Sequence, residues 1–202
     1  MSSSNSFDLS RNKAIKDSVH KDSVVKDSVA KLEESKVIDD IKFGITKIDY
    51  DKRVERFYKK SEKPYYSITK KYIGDYEYSL INGLFDNNKL YYVYVNGASI
   101  NYEKYKSELL DQVQFLNLML QKKYGKNKYG DGPPEWHKTE KGYNYLAYGW
   151  EIGKKSIEIR VSNNGIYYTC DLKIYLPDIE RAVDVRENNK IIKKADSTKD
   201  IL

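Results

Sequence analysis

The stretch Ile166-Tyr167-Tyr168-Thr169-Cys170-Asp171-Leu172-Lys173-Ile174-Tyr175-Leu176 decides the fold. Successive side chains of a strand take opposite faces. Here Ile166, Tyr168, Cys170, Leu172 and Ile174 alternate with Tyr167, Thr169, Asp171, Lys173 and Tyr175. One set is apolar, the other polar or phenolic. Ser156 to Ser162 repeats the pattern, with Ile157, Ile159 and Val161 set against Glu158 and Arg160. Strands that are apolar on one side only belong to an antiparallel sheet whose helices cover a single face.

Working outward, Tyr143 to Trp150 reads as the strand before these two, joined to them through Glu151-Ile152-Gly153-Lys154 and Asn163-Asn164-Gly165. Upstream, Leu109, Val113, Leu116, Leu120 and Tyr124 lie at helical spacing, with Asn101 as an N-terminal cap and Gly125 where the helix ends. Earlier still come strand-like runs at Tyr65 to Ile73, Tyr76 to Phe85 and Leu90 to Asn96. Asp86-Asn87-Asn88-Lys89 forms a hairpin turn between the last two. Ile41 to Thr46 reads as a short strand, and Asp49 to Lys60 as a helix capped by Thr46 or Asp49. The expected class is therefore α+β: helix, three strands, helix, three strands, with an antiparallel sheet and helices on one face.

The ends differ from this body. Lys16-Asp17-Ser18-Val19, Lys21-Asp22-Ser23-Val24 and Lys26-Asp27-Ser28-Val29 repeat one motif at a period of five, which matches neither a heptad nor a solenoid. Val, Ser and Asp are poor helix formers, so residues 1–40 read as a low-complexity arm or linker holding at most a marginal helix. Residues 41–176 form the body, which divides into two αβββ halves, and residues 177–202 form a polar tail with a short helix over Ile179 to Val185. Residues 1–42 carry eight basic and eight acidic side chains and residues 177–202 six and six. Residues 43–176 carry 22 and 16, the whole of the net +6.

That surplus is not a phosphate-binding patch. The body's lysines are interleaved with Asp49, Asp51, Glu55, Glu103, Glu108 and Asp111, and only six of 36 basic residues are Arg. Lys, Asn, Ile and Tyr also share A/T-rich codons, a competing origin for both the lysines and the 20 tyrosines. The chain as written has no apolar run of 18 residues and no hydrophobic signal region behind Met1.

Chemistry has few carriers. His20 lies inside the repeats, and His137 sits in Pro133-Pro134-Glu135-Trp136-His137, suited to a pocket rim. Cys170 next to Asp171 falls on the apolar face of its strand, where a thiol is unreactive. There is no nucleophile elbow, no phosphate-binding glycine motif and no calcium loop. The expectation is a chain that is not an enzyme, with no cofactor and no metal. Tyrosine is the remaining signal. Tyr91, Tyr92 and Tyr94, then Tyr143, Tyr145, Tyr148 and Trp150, then Tyr167, Tyr168 and Tyr175 include neighbours on opposite faces, so some aromatic surface is exposed. Tyr supplies large, rigid contact area at low entropy cost. Tyr92, Tyr94, Trp136, Tyr145, Tyr148 and Trp150 are the expected binding residues.

Phe43-Gly44-Ile45-Thr46, followed by Val54 and Phe57 on a helix and by Phe85-Asp86-Asn87-Asn88-Lys89-Leu90 in a hairpin, resembles the β-lactamase-inhibitory-protein-like and SmpA/OmlA-type small envelope lipoprotein domains over about residues 43–95. The second helix and strand set reads as a diverged repeat of the first. The resemblance implies a non-enzymatic scaffold or inhibitor that binds another protein through its sheet. Ser2-Ser3-Ser4-Asn5 is similar to the linkers that follow the lipid-bearing cysteine of bacterial lipoproteins, and a lipid anchor requires that Met1 stand in place of a processed cysteine.

The leading expectation is a protein-binding or structural module, tethered or docked through its N-terminal arm, with another protein or an assembly subunit as partner. The alternatives are a nucleic-acid- or glycan-binding module using Tyr and Lys, and a structural component of a phage or other large assembly. The bacterial cell envelope is the expected location, with virion or cytoplasm as alternatives.

Overall fold

The computed structural model describes residues 30–55 and 71–198. The chain divides into two compact units at Ser35/Lys36. Of the first unit, residues 30–35 are helical, with Ser35 Oγ donating to the Leu32 carbonyl at 2.8 Å. The KDSV repeats up to Val29, His20, and the stretches 56–60 and 65–70 of the expected helix and strand lie outside the described residues.

The second unit begins with β1 (Lys36–Ile38) and β2 (Ile41–Lys42), an antiparallel pair turning through Asp39. The body thus starts inside what the sequence placed in the arm, because Val37 and Ile38 pack on the core. The chain leaves β2 through Phe43 to Thr46, where Gly44 N donates to the Leu90 carbonyl and Leu90 N to the Ile45 carbonyl. Helix α1 (Lys47–Glu55) follows. Thr46 caps it, its Oγ1 accepting from Asp49 N at 3.2 Å and donating to the Asp49 carboxylate at 2.9 Å.

Strands β3 (Lys71–Ile73), β4 (Tyr76–Asp86) and β5 (Lys89–Gly97) form a meander. Asn87 and Asn88 both take positive φ, 48° and 61°, as a two-residue hairpin turn requires. After β6 (Ile100–Asn101) a 3₁₀ turn and a π turn lead into α2 (Leu110–Tyr124). Asn101 therefore precedes the 3₁₀ turn and makes no side-chain cap bond, whereas Gly125 ends α2 as expected, its amide bonding the Gln121 carbonyl. Strands β7 (Asn144–Ile152), β8 (Lys155–Asn163) and β9 (Tyr167–Tyr175) form the second meander. The expected polar tail is instead α3 (Pro177–Thr198), a helix of 22 residues. Glu180 on it meets Lys173 at 3.0 Å, and Arg186 meets Asp86 at 2.6 Å.

The chain is α+β. Its main sheet is antiparallel in the order β3-β4-β5-β9-β8-β7, with β6 pairing β9 beyond the end of β5. The order is symmetric about the β5/β9 pair, each half contributing its third strand to the centre. Tyr50 of α1 packs over Gly83, where an added Cβ would stand 2.8 Å from its ring. Val113, Leu116 and Leu120 of α2 join Val93, Val95, Ile157, Ile159, Val161, Cys170 and Leu172 in one core. Both helices thus cover the same face. The loop after α2 lies along the outer edge of β7, through Gly149 N to the Tyr129 carbonyl and Gly132 N to the Ala147 carbonyl, each at 2.9 Å. Pairing with a loop protects that edge.

Candidate functional site

The sheet face turned away from α1 and α2 is built from the polar half of each strand's alternation. From β4 and β5 come Leu84, Tyr92 and Tyr94, and from β9 Thr169, Asp171, Lys173 and Tyr175. From β8 come Glu158, Arg160 and Ser162, and from β7 Asn144. Cross-strand pairing sets Tyr92 beside both Leu84 and Tyr175, and Tyr94 beside Lys173. Sequence alternation marks this as a solvated face. It is an ordered network.

Its centre is Asp171, which is 0% exposed. Four donors converge on its carboxylate: Gly97 N at 3.0 Å, Tyr94 OH at 2.8 Å, Ser162 Oγ at 2.7 Å and Thr169 Oγ1 at 3.0 Å. That solvation by fixed dipoles is what allows the group to be buried. Asn144 Nδ2 donates to Tyr94 OH at 2.7 Å and to Ser162 Oγ at 2.8 Å, closing a ring of bonds around Asp171. Arg160 holds Asn144 through its Oδ1 and its carbonyl, and pairs with Glu158 at 2.6 Å. Glu158 in turn accepts from Tyr175 OH at 2.7 Å. The Lys173 ammonium lies 3.9 Å from the Tyr175 ring centre and 5.4 Å from that of Tyr92.

The phenols register this setting. Burial first, and the Asp171 carboxylate second, push Tyr94 well up. Burial, reinforced by the hydrogen bond to Glu158, does the same to Tyr175. Tyr92 is pushed up to about 12 by burial and then by Glu180. All three are neutral at physiological pH, and Tyr94 and Tyr175 are donors. The Tyr92 and Tyr94 rings are nearly parallel, 12° apart with centres 6.5 Å from one another, and Leu84 beside them is 47% exposed.

Of the six expected binding residues, only Tyr92 and Tyr94 lie on this face. Tyr145 stands opposite Val161 on the helix-covered side, and a bulge between Leu146 and Tyr148 shifts the register of β7 so that Tyr148 and Trp150 stand opposite Ile159 and Ile157 on that side too. Trp150, expected as an exposed contact, is 2% exposed and donates from Nε1 to the Gly125 carbonyl at 2.9 Å. Tyr148 packs on the core, and Tyr145 accepts from Glu140 N at 2.6 Å, pinning the preceding turn. Trp136 is 56% exposed on a separate 3₁₀ turn, Trp136–Lys138, edge-on to His137.

His137 pairs with Glu135 at 3.0 Å. Cys170 is fully buried on the core face, and burial holds its thiol well above the usual range. Ile166, expected on the core face, is 77% exposed because the strand begins one residue later. Among the described residues no group of three or more His, Cys, Asp or Glu side chains is placed to hold a metal ion, and no helix is long and apolar enough to cross a membrane.

The residues that sequence reasoning missed are Asp171, Asn144, Ser162 and Arg160. The alternation had placed Asp171 and Arg160 on the polar faces of their strands. What it lacked was the pairing of β9 with both β5 and β8, which brings Tyr94 and Ser162 to either side of Asp171. No family model, no curated protein and no solved structure matches the chain.

Proposed function

We propose that this chain is a non-catalytic binding module that presents the open face of its sheet to a protein partner, with Leu84, Tyr92 and Tyr94 as the contact surface. The observation that carries the reading is the rigid aromatic strip itself. Two near-parallel tyrosines and an exposed leucine stand on a network anchored by a buried carboxylate. Little conformational freedom is left to lose on association, which is what favours affinity from a small patch.

Several features support a protein over a phosphate backbone. Both cations of the face are matched, Arg160 by Glu158 and Lys173 by Glu180, so few counterions remain to be released. A non-enzymatic role is supported by a buried thiol and by a histidine that is half exposed beside an exposed glutamate. Binding through the sheet is also what the resemblance of residues 43–95 to β-lactamase-inhibitory-protein-like and SmpA/OmlA-type domains implies.

The test is quantitative affinity capture with the full chain against a Leu84→Ser/Tyr92→Ser variant. Leu84 is exposed and Tyr92 partly so, and thermal unfolding of the variant checks that it folds. Proteins captured by the parent are expected to fall at least about tenfold with the variant and to be unchanged by Trp136→Ser. Equal capture by parent and variant would refute the reading. Capture lost on nuclease treatment, or falling steeply with salt, would transfer it to nucleic acid.

A further inference from the structure

Helix α3 is longer than the body covers. Its 22 residues span about 33 Å, and from Arg181 to Ser197 every side chain but Val183 is exposed. Ile179, Glu180 and Val183 are half-buried on the side turned to the body, where Glu180 meets Lys173. A helix with Val, Asn and Asp at so many positions is weak in water by propensity alone, since most helical stability in proteins comes from packing an apolar face. The outer face offers a short one. At about 100° per residue, Val185 and Ile192 fall on one line two turns apart, opposite Val183, and each is more than half exposed. Ala182 and Ala195 flank that line, and Asn188 and Asn189 interrupt it.

The charges along the helix are ordered. Residues 177–187 carry four carboxylates against two arginines, and residues 188–198 three lysines against one carboxylate, so the halves are −2 and +2. That polarity suits the helix's own dipole. Arg181 and Asp196 run against it, a cation near the start and an anion in the last turn. Both lie close to the Val185–Ile192 line, at equal distances either side of the Asn188/Asn189 midpoint. Within the chain Arg181 meets Asp178 at 3.6 Å, a pair so exposed that it holds the guanidinium weakly.

We propose that the outer face of α3 is a self-association surface, on which two copies of this chain pair antiparallel. Val185 of each copy lies over Ile192 of the other, Arg181 comes beside Asp196, and the asparagines meet at the centre. Antiparallel pairing lays the −2 half of each helix on the +2 half of the other, whereas parallel pairing would set like charge on like. Asparagine in such a seam fixes register at a cost in stability, so the dimer is reversible. The pairing does not rest on the aromatic strip, and either reading can fail without the other.

Sedimentation equilibrium of the full chain, from about 1 μM to about 1 mM, tests it. The expected result is a monomer–dimer equilibrium, the mass rising from that of one chain toward that of two. Val185→Glu/Ile192→Glu, which places a good helix former at two exposed positions, is expected to raise the dissociation constant at least about tenfold. Arg181→Glu is expected to raise it about threefold, and Arg181→Glu/Asp196→Arg to return it to the parent value. Those two positions stand about 22 Å apart along one helix, so the rescue reports a contact between copies. Circular dichroism checks that each variant keeps its helix. A chain still monomeric at about 1 mM, a dimer indifferent to the two glutamates, or a charge-swapped variant no better than Arg181→Glu would each overturn the proposal. A monomer that co-sediments with phosphatidylglycerol vesicles would overturn it in favour of a membrane surface.

Discussion

Replacing Asp171 by alanine should unfold this protein more readily than any other single change on the open face. The side chain is wholly buried and receives four hydrogen bonds. Three of the donors are hydroxyls that can rotate. The Gly97 amide cannot, because its glycine sits 2.4 Å from the Cys170 carbonyl as measured from an ideal Cβ, with no room to turn. A hydrogen bond to a charged acceptor contributes about 1.5–3 kcal/mol, and removing one partner of a buried charged network costs about 3–5 kcal/mol. The gain from no longer burying the carboxylate keeps the sum at the bottom of that range, about 3 kcal/mol. For a chain of this size each kcal/mol moves the midpoint by roughly 2–4 °C, so thermal denaturation followed by circular dichroism should show a drop of about 10 °C. Asp171→Asn keeps one acceptor oxygen and most of the volume, and should lose about half as much. A drop below about 2 °C for both variants, the range of ordinary surface substitutions, would refute the claim that Asp171 organises the face.

Other outcomes follow from the same geometry. Raised phenol pKa values mean that folding stability from these groups is complete below about pH 10, the unfolded value, and drains away as pH rises through the folded values, about 12 for Tyr92. A phenolate absorbance titration should therefore show a late phase coincident with alkaline unfolding, and a single phase ending near pH 10 would contradict it. Gly149→Ala should lower stability by about 1–3 kcal/mol, since its Cβ would stand 2.0 Å from the Tyr129 ring, and wild-type stability in urea titration would show that the loop is not held against β7. Cys170 should resist thiol reagents in the folded chain and react at once in denaturant, and stoichiometric labelling under native conditions would contradict its burial.

The alternation in Ile166 to Leu176 and Ser156 to Ser162 was enough to read an antiparallel sheet with one covered face, because side-chain period in a strand is local geometry. Asn87-Asn88 and Gly125 were legible for the same reason: each marks a backbone conformation that few other residues adopt. Pairing order was not legible. It depends on contacts between residues far apart, such as Tyr94 with Asp171 and Val93 with Ile174. The β7 bulge was equally hidden, and it alone moves Tyr148 and Trp150 from the open face to the covered one. The helix over Pro177–Thr198 read as a polar tail with only a short helix at Ile179 to Val185, because its few apolar residues, Ile179, Val183, Val185, Ile191 and Ile192, form no continuous stripe. The buried carboxylate could be placed on a face from sequence, but not recognised as buried.

Site-specific photocrosslinking tests the central claim most directly. A photoreactive residue is placed at position 84 or 92 on the open face, or at position 48 on α1, where Ile48 is 65% exposed on the other side. The account predicts one discrete protein adduct from positions 84 and 92 and none from position 48. Adducts from position 48 alone, or none from 84 and 92, would contradict it.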